Sequence, residues 1–175
     1  VTDFDAPVLV SLTVDKTSVD VSSGYQLFTF SLEATDASDE AGFDYAYIYF
    51  RNIKPDGSPG TGSKAVSWNM GSTNTDANGV YETSTQVGDE YISHKSNQLL
   101  VSSSDFDLWE ISNIYISDSP GNYKQYYPAS FGYGESSSVG SISDDQKNFD
   151  TLSVIGGVTD FDAPVLVSLT VDKTS

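Results

Sequence analysis

Apolar and polar residues alternate with a period of two in several short stretches of this chain. In residues 28–34 every second position is apolar, and in residues 45–51 Ala46, Ile48 and Phe50 alternate with three tyrosines. Alternation of this kind is typical of β-strands that bury one face. No window of ten or more residues shows a convincing period of 3.6, so the pattern predicts an all-β chain.

Turn-forming segments divide the remainder of the chain into further predicted strands. The first strand is predicted over residues 8–14, with four apolar residues on its core face: Val8, Val10, Leu12 and Val14. Other strands are predicted at 64–70, 80–87, 108–117, 123–131 and 149–154, whereas residues 89–104 fit a strand or irregular structure. Loops rich in Gly, Pro, Ser or acidic residues are predicted at 16–24, 35–42, 55–63 and 135–145.

The predicted strand at 108–117 changes phase along its length. Trp109 and Ile111 share one phase, whereas Ile114 and Ile116 share the other. One extra residue restores a common core face, so we expect a β-bulge at residue 112 or 113.

Seven or more short strands without a helix predict an immunoglobulin-like Greek-key β-sandwich enlarged by long loops. A minimal domain of this class has about 100 residues. We expect the surplus length between the strands at 45–51 and 108–117.

The two ends of the chain carry the same sequence. Residues 1–18 and 158–175 both read VTDFDAPVLVSLTVDKTS, and the repeat begins again at residue 158, so the period is 157 residues. This predicts one β-sandwich unit at 1–157, followed by the linker and first strand of the next identical unit at 158–175. The alternative is an engineered duplication of a terminal strand.

A period of 157 residues is too long for a solenoid repeat. Each unit should therefore bury its own core, and its direct partners should be adjacent units of the same polypeptide. The second copy of the first strand, residues 165–171, should be disordered or should pair with another molecule.

Composition narrows the possible partners. The chain has 25 acidic and 8 basic residues, one His and no Cys, with a net charge of −17. Such a surface repels phosphate and attracts cations, so nucleic acid is not an expected partner. The absence of Cys excludes disulfides and Cys-ligated zinc. The sequence shows no targeting segment, and we expect no direct membrane contact.

The candidates for catalysis are weak. His94 is the one possible base for a serine nucleophile, and no nucleophile elbow accompanies it. Many carboxylate pairs can be drawn, but no spacing singles one out. We therefore expect no enzymatic activity and no small-molecule substrate.

Three segments resemble a known family when they are taken in order. They are DFDAPVLVSLTVD at 3–15, FTFSLEATDASDEAG at 28–42 and LWEISNIYISDSPGN at 108–122. Together they resemble the bacterial immunoglobulin-like repeats that form the extender region of large calcium-dependent RTX-type adhesins. The resemblance implies an extracellular spacer at the bacterial cell surface that projects a distal ligand-binding domain.

Sandwich topology predicts where the acidic residues of these segments meet. The incoming linker, the loop after the strand at 28–34 and the turn after the strand at 108–117 should share one pole. The predicted ligands at this pole are Asp3, Asp5, Asp36, Asp39, Glu40, Asp118 and Asn122. Calcium takes six to eight oxygen ligands of these types, so a calcium site is expected here.

A second calcium position is expected in the linker between units. Gly156 and Gly157 should make this linker flexible. A calcium ion bound by Asp160 and Asp162, with Asp105, Asp107, Asp15 or Asp20 from the opposite pole, would fix the angle between units.

Other interpretations remain open at this stage. Any single surface aspartate can be a turn cap, and residues 74–79 resemble an EF-hand opening but fit a hairpin turn better. The stripe of Tyr45, Tyr47 and Tyr49 is either ordinary sheet-face contact or a sugar-stacking platform. The alternative functions are a calcium-stabilised carbohydrate-binding module and an accessory domain of a secreted enzyme.

Overall fold

The structure is a computed structural model that describes residues 4–36, 43–69, 82–87 and 90–159. These residues form strands and two short 3₁₀ turns, at Ala129–Phe131 and Asp144–Gln146. The strands are β1 Val8–Val14, β2 Ser18–Asp20, β3 Gln26–Asp36, β4 Phe43–Ile53, β5 Pro59–Asn69, β6 Glu82–Val87, β7 Glu90–Val101, β8 Leu108–Asp118, β9 Tyr123–Pro128, β10 Val139–Ile142 and β11 Thr151–Ile155.

The strands form two sheets that enclose one apolar core. Sheet I has the order β1-β3-β7-β6, and in sheet II β8 pairs with β4, which in turn pairs with β5. These orders match the A-B-E-D and C′-C-F arrangement of an immunoglobulin-like sandwich. The predicted all-β sandwich is therefore confirmed.

The other edge of β8 is shared by two strands. Its C-terminal half pairs with β9, and its N-terminal end pairs with β11, both antiparallel. The two strands follow one line beside β8, interrupted by residues 129–150, which contain β10. Part of the extra length of the unit thus lies in this insertion. The expectation that it lies between β4 and β8 was incomplete.

The core faces predicted for β3 and β4 are confirmed. Alternate residues along both strands are fully buried, and the Phe30 and Phe50 rings lie 5.2 Å apart across the core. Trp68 on β5 and Phe149 of the insertion are also buried. The period-two pattern predicted these faces because both strands run without interruption through the core.

The core face predicted for β1 was partly wrong. Val8 and Val10 are 49% and 39% exposed, whereas Leu9 is buried together with Leu12 and Val14. The cause is an irregular register with β3 between Leu9 and Ser11, which moves one residue to the opposite face.

The bulge predicted in β8 is present. Pairing with β4 passes from Asn113 to Ile111, so Ser112 is the extra residue. The bulge brings the apolar residues of both phases to one face, and all four are buried: Trp109, Ile111, Ile114 and Ile116.

Several elements differ from their predictions. The ambiguous segment 89–104 contains the long strand β7, and β5 begins inside the predicted loop 55–63. The short strands β2 and β10 were predicted as loops, and each is held by parallel pairing, with β11 and β9 respectively. Such short strands carry too few alternating residues to be recognised in a sequence.

Candidate functional sites at the two poles

The chain enters the sandwich at one end and leaves it at the other. At the N-terminal pole Val8 pairs with Thr35 near the end of β3, and the start of β4 pairs with Asp118 at the end of β8. At the C-terminal pole β11 ends beside the start of β8. The incoming and the outgoing chain therefore lie at opposite poles.

Asp118 organises the turn between β8 and β9 at the N-terminal pole. Its side chain is buried, and Oδ1 accepts hydrogen bonds from the backbone N–H groups of Gly121 at 2.8 Å and Asn122 at 2.7 Å. Oδ2 accepts a third bond from Nδ2 of Asn122 at 2.7 Å. Gly121 has a φ of +97°, which favours glycine. The Asp-x-x-Gly-Asn motif is therefore a carboxylate-centred turn.

Asp36 is a second buried carboxylate at this pole. It is the last residue of β3, and its exposed fraction is 1%. Burial of a carboxylate is costly unless polar or cationic groups compensate for it. Asp36 and Asp118 thus place two buried carboxylates at the N-terminal pole.

A cleft of about 610 Å³ lies at this pole. Residues that line it include Asp5 of the incoming chain, Thr35 of β3, and Asn122 and Lys124 after the β8–β9 turn. The linker, the end of β3 and the turn therefore meet, as the topology predicted. Asp5 is exposed in this cleft.

Metal ligation itself remains a prediction. Within the described segments, no group of three or more His, Cys, Asp or Glu side chains is placed to hold a metal ion. Five of the predicted ligands lie outside the described residues: Asp3, Asp39, Glu40, Asp160 and Asp162.

At the C-terminal pole the carboxylate of Asp105 already has protein partners. Nζ of Lys64 lies 2.7 Å from its Oδ1, and the backbone N–H of Ser102 donates to its Oδ2 at 2.8 Å. The side chains of Lys64 and Asp105 are 22% and 16% exposed. These contacts compete with metal binding at Asp105.

The start of the linker is held by hydrogen bonds, so the expectation that it is flexible is wrong for its first residues. The backbone N–H of Val158 donates to the Asp105 carbonyl at 2.6 Å, and that of Asp107 donates to the Val158 carbonyl at 3.2 Å. Gly156 has a φ of +82°. A Cβ on Gly157 would lie 2.5 Å from the Asp105 carbonyl oxygen. The two glycines thus permit a tight exit from the sandwich.

Asp15 and Asp20 also have hydrogen-bond partners within the protein. Oδ1 of Asp15 accepts a hydrogen bond from the Thr29 N–H at 2.8 Å, and Oδ1 of Asp20 accepts one from the Ser22 N–H at 2.9 Å. Hydrogen bonds from the Ser22 side chain and backbone lower the pKa of Asp20. The turn-cap interpretation fits Asp20, whereas Asp15 contacts the neighbouring strand β3.

The tyrosine stripe on the outer face of sheet II is larger than the sequence indicated. Tyr47 stacks on Tyr115 of β8 with ring centroids 4.9 Å apart and planes 6° apart, and Tyr115 stacks on Tyr123 at 5.4 Å. Burial raises the pKa of Tyr47. Because these rings turn their faces toward one another, the arrangement favours sheet-face contact over a sugar platform. Pairing between β4, β8 and β9 creates the cluster, which no single segment reveals.

The remaining candidates are His94 and residues 74–79. His94 lies on β7, with its backbone opposite Glu33 of β3. The EF-hand-like residues 74–79 lie outside the described residues.

No family model matches the chain, and comparisons with curated proteins and with solved structures likewise give no match. In the described part of the chain, no helix is long and apolar enough to cross a membrane.

Proposed function

We propose that the 157-residue unit is a spacer that is repeated end to end in an extracellular bacterial adhesin. The observation that carries this proposal is the position of the chain ends in the sandwich. Val8 begins β1 at the N-terminal pole, and Val158 leaves from the C-terminal pole. Because residues 158–175 repeat residues 1–18, the next unit would begin where this one ends.

With the chain ends at opposite poles, the length of the array would increase in proportion to the number of units. Strand β8 has 11 residues and runs between the poles. At a rise of about 3.3 Å per residue it spans roughly 33 Å. An array of ten such units would extend over about 300 Å before linkers are counted.

The stiffness of the array would depend on its joints. The described exit is held by hydrogen bonds up to Val158, so calcium would act on the part of the joint beyond this residue. In the proposed mechanism, calcium binds the linker carboxylates of Asp160 and Asp162. Its other ligands come from the following unit, from the loop equivalent to residues 35–42 and from the turn equivalent to the one at Asp118. Binding free energy would then oppose bending of the joint.

Small-angle X-ray scattering from a chain of three tandem units tests this proposal. We expect a longer maximum dimension in millimolar calcium than in chelator, because calcium bound at a joint would oppose its bending. The matched control replaces the linker aspartates with asparagine, D160N/D162N and their equivalents in the next joint. It should give the chelator profile in both buffers. Identical wild-type profiles with and without calcium would refute calcium stiffening.

A further inference from the structure

Strand β1 occupies a slot on the edge of sheet I that is built from distant parts of the chain. On one side it pairs along its length with β3, and its inward residues Leu9, Leu12 and Val14 are buried in the core. These residues attach the strand to the sandwich through apolar burial as well as through the sheet ladder.

The outer edge of β1 is covered by residues of the insertion 129–150. Oδ1 of Asn148 accepts the N–H of Val14 at 2.9 Å, and its Nδ2 donates to the Val14 carbonyl at 3.0 Å. Nε2 of Gln146 donates to the Leu9 carbonyl at 2.7 Å. The insertion thus acts as a clasp that satisfies the edge groups of the strand.

Tyr126 completes the slot near the N-terminal pole. Its hydroxyl oxygen accepts the N–H of Leu9 at 2.9 Å, and the hydroxyl donates to the Pro7 carbonyl at 3.3 Å. All of the clasp contacts reach the backbone of the strand, so they depend on its shape and register.

We propose that this slot also binds residues 165–171 of a second copy of the chain. These residues read VLVSLTV, as do residues 8–14, and Pro164 precedes them as Pro7 precedes β1. Every buried side chain and every backbone group that β1 offers to the slot is therefore present in the second segment. The binding partner is a strand donated by an identical chain.

The segment cannot reach the slot of its own chain. Val158 is bonded at the C-terminal pole, whereas the first residue of the slot pairs with Thr35 at the N-terminal pole. Residues Ile92–Val101 of β7 span this distance, which is roughly 30 Å at about 3.3 Å per residue. The seven steps from residue 158 to residue 165 cover at most about 25 Å.

In the intact chain β1 competes for the slot from within the same molecule. A tethered segment has an effective concentration in the millimolar range, so exchange between intact chains becomes appreciable only near about 1 mM. Substitutions that weaken the packing of β1 remove this competition. Residues 165–171 of another chain should then bind in the slot at a much lower protein concentration.

Disulfide trapping tests the proposal because the chain has no cysteine of its own. Thr13 pairs with Ser31 in the slot, so Thr170 of a donor would occupy the position opposite Ser31. The acceptor is the full chain with L9S/L12S/S31C, and the donor is the full chain with T170C. The matched control donor, S168C, is displaced by two residues, or about 7 Å, which exceeds disulfide geometry.

We expect the T170C donor to form at least about tenfold more cross-linked heterodimer than S168C, since only the former register satisfies disulfide geometry. Adding L166S/L169S to the T170C donor should abolish the product. Equal yields from the two donors, or no product from T170C, would overturn the proposal.

A second pair of variants controls for the possibility that the L9S/L12S/S31C acceptor does not fold. Chains carrying S31C alone and T170C alone keep β1 intact, and they can be unfolded together and refolded at about 1 mM, where tethered and free strands compete comparably. The same register preference is expected, and its absence in this pair would also overturn the proposal. Neither experiment contains calcium, so a failure of calcium stiffening would leave this outcome unaffected.

Discussion

The two poles handle their acidic residues in different ways. At the C-terminal pole, Lys64 lies against the carboxylate of Asp105, and backbone hydrogen bonds hold the departing chain. At the N-terminal pole, Asp118 is buried and is held in part by amide dipoles. The comparison teaches that a lysine stabilises the acidic group at the C-terminal pole, whereas amide N–H groups stabilise the one at the N-terminal pole.

The largest effect should come from Asp118→Ala. It removes a buried acceptor of three hydrogen bonds, each worth about 1.5 kcal/mol or more because the acceptor is charged. We expect a loss of about 4 to 5 kcal/mol in the free energy of unfolding, measured by urea denaturation. Asp118→Asn keeps one acceptor oxygen and should lose less. A cost below that of Lys64→Met would reverse the contrast between the poles.

Tyr126→Phe should have an intermediate effect. The change leaves the buried N–H of Leu9 without its acceptor while it preserves the aromatic ring. The expected cost is about 1 to 2 kcal/mol in the same urea experiment. Tyr127→Phe, whose hydroxyl bonds Gln125 on the same strand, is the control and should change stability by less. Equal costs would argue that β1 does not depend on the Tyr126 hydroxyl.

Lys64→Met should have a smaller effect at the C-terminal pole. The substitution keeps most of the apolar stem but removes the charge that lies 2.7 Å from Asp105. We expect a loss of about 1 kcal/mol. A double-mutant cycle with Asp105→Asn measures the coupling between the two side chains. Zero coupling would mean that this pole does not rely on its ion pair.

The smallest effect should be seen at Asp20. Hydrogen bonds from Ser22 lower its pKa, so Ser22→Ala should raise that pKa toward its ordinary value in an NMR titration. A lowered pKa stabilises the folded state above the ordinary pKa of aspartate, and this contribution is lost as the pH falls through the folded-state value. An unchanged pKa in the variant would show that the backbone N–H of Ser22 alone causes the shift.

Regular alternation explains which parts of the fold were predictable. The core faces of β3 and β4 and the bulge at Ser112 follow from local periodicity. The face of β1 was mispredicted because a register irregularity at Leu9 interrupts its alternation. Strand β10 belongs to an insertion whose position depends on pairing with β9, and a local pattern cannot show such pairing.

The candidate sites divide in the same way. The turn at Asp118 was predictable because the groups that donate hydrogen bonds to its carboxylate lie within four residues of it. The ion pair of Lys64 with Asp105 and the stacking of Tyr47 on Tyr115 join residues on different strands. These contacts follow from sheet order, which the sequence indicates only at the level of fold class.

The clasp on β1 also sets an order of events during folding. Asn148 lies 134 residues beyond Val14, and Gln146 lies 137 residues beyond Leu9. Contacts between such distant residues form slowly, and domains emerging from a ribosome or a secretion channel fold as units. If the N-terminus emerges first, the clasp residues emerge before residues 165–171, which compete with β1 for the slot. Strand β1 would therefore be held in its own sandwich before residues 165–171 emerge.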